Sequence, residues 1–84
     1  MDGYRVFIHA DLLEAIPTRG FQRERILEFV RLLRSEPRTP GDYTYRDETQ
    51  RDLHVKIVGD FAVSYWVDEP VKAVMVLGAR HADH

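Results

Sequence analysis

Side chains that can exchange protons or bind an anion are concentrated in the last third of the chain. His54 and Lys56 are two residues apart in an alternating segment, and Arg80 and His84 lie close to the end. An imidazole changes its charge near neutral pH, which suits a histidine to acid–base chemistry beside cationic side chains. If the protein has a site, we expect it on the polar face of residues 51–84.

The segment that carries these side chains is predicted to form three consecutive strands. Residues 53–57 and 61–67 alternate between apolar and polar side chains, and residues 71–77 are almost wholly apolar. Gly59 and Asp60 supply the first turn, and residues 68–70 supply the second. Strands joined by such short turns form an antiparallel meander.

The same alternation predicts which side chains share a face of this sheet. One face is predicted to carry His54, Lys56, Ala62, Ser64 and Trp66. The opposite face is predicted to carry Val55, Ile57, Val63 and Tyr65. On the first face an indole can stack on a nucleobase. The alternative is an ordinary solvated face, with Lys56 extended along the surface and Trp66 closing the edge of the core.

The first half of the chain predicts one strand and two helices. Residues 4–9 have the alternation of a strand, and Asp11 is predicted to cap a short helix that stops at Pro17. Residues 21–36 form the clearest helix, because apolar residues recur there at helical spacing. They are Phe21, Ile26, Phe29, Val30 and Leu33.

Residues 43–46 are predicted to form a further strand or an extended edge segment. The element order is then β–α–α–β–β–β–β, with consecutive hairpins at the end of the chain. This order predicts a single α+β domain over residues 1–84, with both helices packed on one face of the sheet. An exposed edge of the meander makes either a monomer or a homodimer compatible with the pattern.

Composition limits the class of protein. The chain has 84 residues, of which 44% are hydrophobic and 31% are charged, as expected for one small folded domain. The absence of cysteine excludes disulfides and zinc–thiolate sites. No apolar run approaches the roughly 20 residues of a membrane span, and no signal-peptide pattern is present. We therefore expect a cytoplasmic protein without membrane contact.

The charge distribution argues against an extensive nucleic-acid surface. Residues 41–84 hold five lysines and arginines against eight acidic residues, whereas a phosphate-binding face is normally basic. Any such face would have to be a small local patch. His81, Asp83 and His84 are acceptable metal ligands, but they lie at a chain end without a predicted rigid scaffold. We predict no metal site and no cofactor.

Three features of the last two thirds occur together in one known family. The stretch GDFAVSYWVD, from Gly59 to Asp68, is similar to a run of glycine, aromatic, arginine, two apolar residues, tyrosine, any residue, valine and aspartate. Arg80 and the helix followed by proline, Gly41 and Asp42 add to the similarity. Over nearly its whole length the chain resembles the RelE/ParE superfamily of type II toxin–antitoxin toxins.

This resemblance implies a RelE-like fold and a toxin that is held inactive by a cognate antitoxin wrapped around its sheet and helices. Toxins of the RNase branch cleave mRNA on the ribosome without a metal. The resemblance assigns phosphate binding to Lys56, proton transfer to His54 and His84, and transition-state stabilisation to Arg80. Beside these roles, Arg46 and Arg51 border the meander and are predicted to guide a phosphate backbone, and Trp66 to stack on a base, so that these three residues are the predicted RNA contacts.

One position departs from the family pattern. Ala62 occupies the place of the arginine that precedes the apolar residues and the tyrosine. An arginine there would neutralise transition-state charge, and loss of such a contact commonly costs several kcal/mol. The sequence therefore leaves two functions open. One is an mRNA endoribonuclease, and the other is a non-catalytic protein of the same fold, either a gyrase-directed toxin or a repurposed protein-binding module.

Overall fold

Two helices and five strands follow one another along residues 3–82, the part of the chain that this computed structural model describes. The elements are β1 (Arg5–Ile8), α1 (Ala10–Ala15), α2 (Phe21–Ser35), β2 (Tyr43–Arg46), β3 (Asp52–Val58), β4 (Phe61–Asp68) and β5 (Ala73–His81). The α+β class and the element order are those predicted. Across residues 3–82 neither helix has the length and apolarity needed to cross a membrane.

The strands form one sheet in the order β1-β5-β4-β3-β2. Strands β2 to β5 make the predicted antiparallel meander. Strand β1 lies beside β5 and parallel to it, with Val6 opposite Val74. The sequence predicted this first strand but not its neighbour, because the pairing joins the two ends of the chain and has no local pattern.

Strand β5 begins and ends later than the predicted residues 71–77. The N–H of Lys72 donates to the carbonyl of Glu69 at 3.1 Å, and Lys72 has a φ of 54°. Val71 and Lys72 therefore belong to the turn before the strand. At the other end, the pairing of β5 with β4 continues to His81, which lies opposite Phe61. Arg80, which was expected after the last strand, lies within it.

The core lies between the helices and one face of the sheet. Both helices contribute to a single cluster of buried side chains, which confirms that they pack on the same face. From the helices the cluster contains Leu12, Ile16, Ile26, Phe29, Val30 and Leu33. From the strands it contains Val58, Phe61, Val63, Tyr65, Val74 and Val76.

The beginning of α2 differs from its prediction. Phe21 was assigned to the apolar face of the helix, but 89% of it is exposed. Gln22 faces the sheet instead. Its Nε2 donates to the Val58 carbonyl at 3.0 Å, and its Oε1 accepts the N–H of Asp60 at 3.1 Å. The helix is thus joined to the β3–β4 turn, where Gly59 has a φ of 61° and an added Cβ would collide with the Gln22 amide.

The cap of α1 also differs from the sequence prediction. His9 is the N-cap, and its Nδ1 accepts the N–H of Asp11 at 3.1 Å. Asp11, which was predicted to be the cap, lies in the first turn, where a negative charge interacts favourably with the helix dipole. An imidazole nitrogen has replaced the expected carboxylate as the acceptor for a first-turn N–H.

The segment between α2 and β2 packs directly against β3 and forms hydrogen bonds with it. The N–H of Asp42 donates to the Val55 carbonyl at 2.7 Å, and a carboxylate oxygen of Asp42 accepts the N–H of Ile57 at 2.6 Å. An added Cβ on Gly41 would lie 2.7 Å from the carbonyl oxygen of Val55. This close approach explains why glycine precedes Asp42.

We predict that Gly41→Ala lowers the free energy of unfolding by about 1–3 kcal/mol, the usual cost of overpacking. Val55 has little freedom to move away, because it is held in the β3 ladder. Urea unfolding followed by circular dichroism measures the change. The matched control is Gly78→Ala, whose added Cβ has no heavy atom within 4 Å. We expect it to change the stability by less than about 0.5 kcal/mol. Equal losses in the two variants would contradict the packing argument.

Candidate functional site

The predicted site residues are divided between the two faces of the sheet. His54 lies opposite Tyr65 and Lys56 lies opposite Val63, and residues that face each other across an antiparallel pair share a face. His54 and Lys56 therefore lie on the face that the helices cover. Their predicted companions Ala62, Ser64 and Trp66 lie on the other face, so the predicted grouping is wrong.

The physical reason is the length of the β3–β4 turn. Gly59 and Asp60 are the whole turn, so Val58 lies opposite Phe61. Even-numbered residues of β3 consequently share a face with odd-numbered residues of β4. The alternation within each strand was predicted correctly, but its phase reverses across the hairpin.

The second face of the sheet, which neither helix covers, is called the open face here. It is largely apolar and aromatic, and its members in the strands other than β5 include Phe7, Tyr43, Tyr45, Leu53, Val55, Ile57, Ala62 and Trp66. Arg80 also lies on it, opposite Ala62. The apolar residues of β3 occupy the places on this face where the sequence prediction had put His54 and Lys56.

Arg80 is remote from the other predicted catalytic residues. It pairs with Ala62, whereas His54 pairs with Tyr65, three residues further along β4. Two strand spacings amount to about 10 Å, and three residues along a strand add about 10 Å in the other direction. With the sheet between them, these side chains cannot contact one phosphate group. His84, the fourth predicted catalytic residue, lies outside the described residues.

Lys56 is held at the helix-covered face. Its Nζ lies 3.9 Å from a carboxylate oxygen of Asp42. It also borders a shallow depression beside α2, together with Arg25, Glu28 and Phe29. This environment gives Lys56 an ion-pair partner and places it away from the open face.

Three of the predicted residues do meet in one cavity. Arg51, His54 and Trp66 line a space of about 410 Å³ where β3 begins and β4 ends. The cavity lies at an end of the sheet, so side chains from both faces can border it. His54 stacks on Tyr65 with ring centroids 5.4 Å apart. Within residues 3–82, His54 Nδ1 and Trp66 Nε1 are buried without a hydrogen-bond partner.

Arg51 is held at this cavity by an ion pair with Asp47 and by a contact with the Trp66 ring. Its Nε and Nη2 lie 2.9 and 2.8 Å from Asp47 Oδ2, and its guanidinium lies 4.7 Å from the centre of the Trp66 ring. Asp47 also accepts the N–H of Arg51 and both the N–H and the hydroxyl of Thr49. These bonds, with that of the Arg51 N–H first, lower the pKa of Asp47 to about 2. Arg46, another predicted RNA contact, pairs with Asp52 at 3.2 Å.

Two sets of hydrogen bonds around the cavity were not predicted from the sequence. The hydroxyl of Tyr65 donates to the Thr39 carbonyl at 2.9 Å, and burial followed by the charge of Asp42 raises the pKa of Tyr65 to about 12. Glu69 accepts hydrogen bonds from the Tyr4 hydroxyl at 2.6 Å and from Arg38 at 3.0 Å. The hydrogen bond to Glu69 raises the pKa of Tyr4. The partners are far apart in the chain, so no local pattern marks them.

Solved toxin–antitoxin complexes contain chains of the same fold. The chain is 29% identical to a chain of the archaeal RelE-RelB complex from Pyrococcus horikoshii, with a TM-score of 0.74 and 93% of each chain covered. It matches a chain of the RelBE2 complex from Mycobacterium tuberculosis at 20% identity, with a TM-score of 0.69 and coverage of 100% of this chain and 97% of that chain. No protein-family model and no curated protein matches it. The chain has the RelE-like toxin fold, as its sequence predicted.

We predict that protonation of Asp47 releases Arg51 at acid pH. Because folding lowers the pKa of Asp47 from 3.8 to about 2, its contribution to stability is complete above about pH 4 and is lost as the pH falls through 2. Asp47→Asn should remove this part of the acid dependence and change the emission of Trp66, the single tryptophan. Urea unfolding and fluorescence between pH 2 and 5 test this. Glu48→Gln is the control, and the same effect in both variants would contradict a specific role of Asp47.

A second prediction concerns Tyr65. Tyr65→Phe should lower the free energy of unfolding by about 1–2 kcal/mol at neutral pH, because the Thr39 carbonyl loses its donor. Folding raises the pKa of Tyr65 from 10.0 to about 12, so its contribution is complete below pH 10 and is lost as the pH rises through 12. Denaturant unfolding at pH 8 and pH 11 should show the two proteins converging. Tyr43→Phe, at an exposed position, is the control, and a constant difference at both pH values would refute the assignment.

Proposed function

We propose that this protein is the toxin of a toxin–antitoxin pair and that it acts by binding another protein rather than by cutting mRNA. The first part is supported by the similarity to a chain of an archaeal RelE-RelB complex over 93% of both chains. The second part rests on one observation, the separation of the basic side chains. His54 and Lys56 lie on the helix-covered face, and Arg80 lies on the open face.

Metal-independent RNA cleavage needs a proton-transfer group and cationic donors around one phosphodiester. A general base acts within hydrogen-bond reach, about 2.6–3.2 Å, and charge stabilisation is equally short-ranged. On the open face, Arg80 stands beside Ala62, and the neighbouring β3 positions are apolar. Charge that develops on a phosphate there would meet one guanidinium and the exposed hydrocarbon side chain of Ile57. This arrangement does not favour cleavage.

The open face has instead the composition of a protein-binding surface. Tyrosine, tryptophan and arginine are enriched at the centres of protein interfaces, where they bury a large area at a small cost in side-chain entropy. Tyr43 and Tyr45 are 48% and 45% exposed at adjacent open-face positions of β2. We infer that this face contacts the toxin's protein target, and that an antitoxin prevents that contact by covering the sheet and helices.

The mRNA endoribonuclease remains the second candidate, and one observation favours it. The cavity at the start of β3 brings an imidazole, a guanidinium and an indole together in His54, Arg51 and Trp66. Such a set can hold a base and transfer a proton. A nuclease of this protein would therefore use the cavity and would not depend on Arg80.

The two candidates predict different results when the protein is expressed in bacteria. We expect the wild type to arrest growth, and we expect His54→Ala with Lys56→Ala, both on the helix-covered face, to leave the arrest intact. Tyr43→Ala with Tyr45→Ala should abolish it, because β2 then loses both of its exposed aromatic rings from the open face. Leu13→Ala, at an exposed position of α1, is the matched control and should remain toxic. Thermal unfolding of each purified variant verifies that it is folded.

Mapping of mRNA ends in a translating ribosome extract separates the mechanisms. We expect no new ends with the wild type. New ends that disappear with His54→Ala would establish the nuclease. A wild type that leaves growth unaffected at high expression would refute a toxin of either kind and favour a repurposed binding module. A short neighbouring reading frame whose product suppresses the arrest would identify the antitoxin.

A further inference from the structure

We propose that the free edge of β2 pairs with the same edge of a second copy of this chain, antiparallel and with Thr44 on the two-fold axis. Strand β2 is the last in the sheet order, so its β3 side is paired and its other side is free within residues 3–82. All four of its residues, Tyr43–Arg46, are exposed. This inference concerns how copies of the protein associate, and it does not depend on the proposed function.

The outward hydrogen-bonding groups of β2 belong to Thr44 and Arg46. Just after the strand, the N–H of Asp47 donates to the carbonyl of Arg51 at 3.0 Å, so Asp47 bonds toward the β3 side. Alternate residues of an antiparallel strand bond to opposite neighbours, and the two tyrosines of β2 therefore bond to β3 as well. Thr44 and Arg46 direct their N–H and C=O groups away from the sheet, where an extended chain can pair with them.

Two copies of this edge complement each other when Thr44 lies opposite its own counterpart. Each Tyr43 then lies opposite the Tyr45 of the other copy, and each Arg46 lies opposite Asp42. Aromatic pairs, threonine pairs and opposite charges are the cross-strand combinations that stabilise a sheet. Because the contact is two-fold symmetric, every pair away from the axis occurs twice.

The tyrosines of β2 meet on the open face in this register. Tyr43 and Tyr45 are both exposed, and they lie opposite Val55 and Leu53 of β3, which are open-face residues. Across the new edge, each ring faces a ring of the second copy, in positions where Cβ atoms approach to about 4.5–5.5 Å. Pairing therefore covers aromatic surface that is otherwise in water, and the rings pack together on one side of the joined sheet.

Opposite charges meet on the helix-covered face in the same register. Arg46 belongs to that face because it pairs with Asp52, which shares a face with His54. Asp42 lies beside Lys56 of that face, and 45% of the Asp42 side chain is exposed. The exposed guanidinium of Arg46 can therefore keep its contact with Asp52 at 3.2 Å and approach Asp42 of the second copy. The charge pattern of this edge is self-complementary.

Other pairings of two copies fit less well. With Tyr45 opposite its own counterpart, Arg46 would lie opposite Thr44 and the pair of opposite charges would be lost. Pairing of two β1 edges would bring together Arg31 and Arg34 of both copies, because these arginines border that edge, and like-charge contacts are unfavourable. The β2 edge with Thr44 on the axis is the pairing that matches both aromatic side chains and charges.

The size of the contact sets its strength. Pairing about this axis joins two five-stranded sheets into one, with both open faces on the same side. The strand supplies four residues from each copy, whereas a stable interface uses roughly 20–30 residues a side. We therefore expect a weak, reversible dimer whose population depends on protein concentration.

Sedimentation velocity of the purified full chain at micromolar and near-millimolar concentration tests this association. We expect the dimer fraction of the wild type to rise with concentration. Thr44→Pro removes one outward N–H without removing a bond to β3, so it should remain monomeric. Thr44→Val keeps the N–H and should still dimerise, and circular dichroism verifies that both variants are folded. A wild type that stays monomeric at near-millimolar concentration would overturn the inference, as would a folded Thr44→Pro protein that dimerises like the wild type.

Charge substitution provides an independent measurement. Arg46→Glu places an acid opposite Asp42 of the second copy, so it should weaken dimerisation about tenfold at low salt, with a smaller difference as the salt concentration rises. Arg19→Glu makes the same change of charge at an exposed position away from β2 and is the matched control. Equal effects in the two variants would show that only the net charge matters and would overturn the inference.

Cysteine cross-linking tests the register, because the chain has no cysteine of its own. A mixture of Tyr43→Cys and Tyr45→Cys proteins should form disulfide-linked dimers under mild oxidation, since these two positions lie directly opposite each other. Either protein alone should link slowly, because its cysteines lie diagonally across the edge. Tyr43→Cys mixed with Ser35→Cys, an exposed position on α2, is the control.

The cross-linking pattern separates the possible results. Preferential linking of the Tyr43→Cys and Tyr45→Cys mixture would support the pairing with Thr44 on the axis. Preferential linking of Tyr45→Cys to itself would indicate the shifted register and overturn the inference. Equal linking in every mixture, including the control, would show random collision and overturn it too. None of these results depends on whether the protein arrests growth, so the proposed function is tested separately.

Discussion

The two-residue turn between β3 and β4 determines which side chains can act together in this protein. It places Val58 opposite Phe61 and so sets the phase of every pair along the hairpin. The turn is held from outside by Gln22, which bonds to the Val58 carbonyl and the Asp60 amide. Gly59 permits both the positive φ and the close approach of the glutamine amide. A shift of one residue would exchange the two faces of the strand.

This phase explains how, within residues 3–82, the predicted basic residues come to lie on different faces of a RelE-like fold. The helix-covered face receives His54 and Lys56, where Tyr65 stacks on the first and Asp42 lies near the second. The open face receives Leu53, Val55 and Ile57 of β3, with Ala62 beside Arg80. The same backbone can therefore present either a phosphate-binding or a protein-binding surface, depending on which residues occupy alternate positions. Fold alone does not decide the function.

The described arginines fall into two groups that differ in their freedom to bind a partner. Arg38 and Arg51 are held by carboxylates around the cavity, where they organise the loops. Arg31 and Arg34 have no such partner within residues 3–82, and they border the free edge of β1. A cation already paired with a carboxylate must give up that contact to bind a new anion.

Local sequence patterns encode the helices and strands of this protein. Alternation over residues 53–57 and 61–67, the turn at Gly59 and the apolar spacing of α2 were enough to predict the strands, the helix and the α+β class. The turn length also predicts which side chains share a face. A two-residue turn pairs even-numbered residues of β3 with odd-numbered residues of β4. This parity places His54 and Lys56 with Tyr65 and Val63, in contrast to the predicted grouping.

Long-range contacts establish which of these elements and side chains meet. The position of β1 beside β5, the contact of Gln22 with the hairpin turn, and the bonds of Glu69 to Tyr4 and Arg38 join residues far apart in the chain. Such contacts depend on the summed geometry of all the intervening elements, and no local spacing encodes them. The separation of Arg80 from His54 and Lys56 has the same origin, because the paired strands between them place these side chains on opposite faces of the sheet.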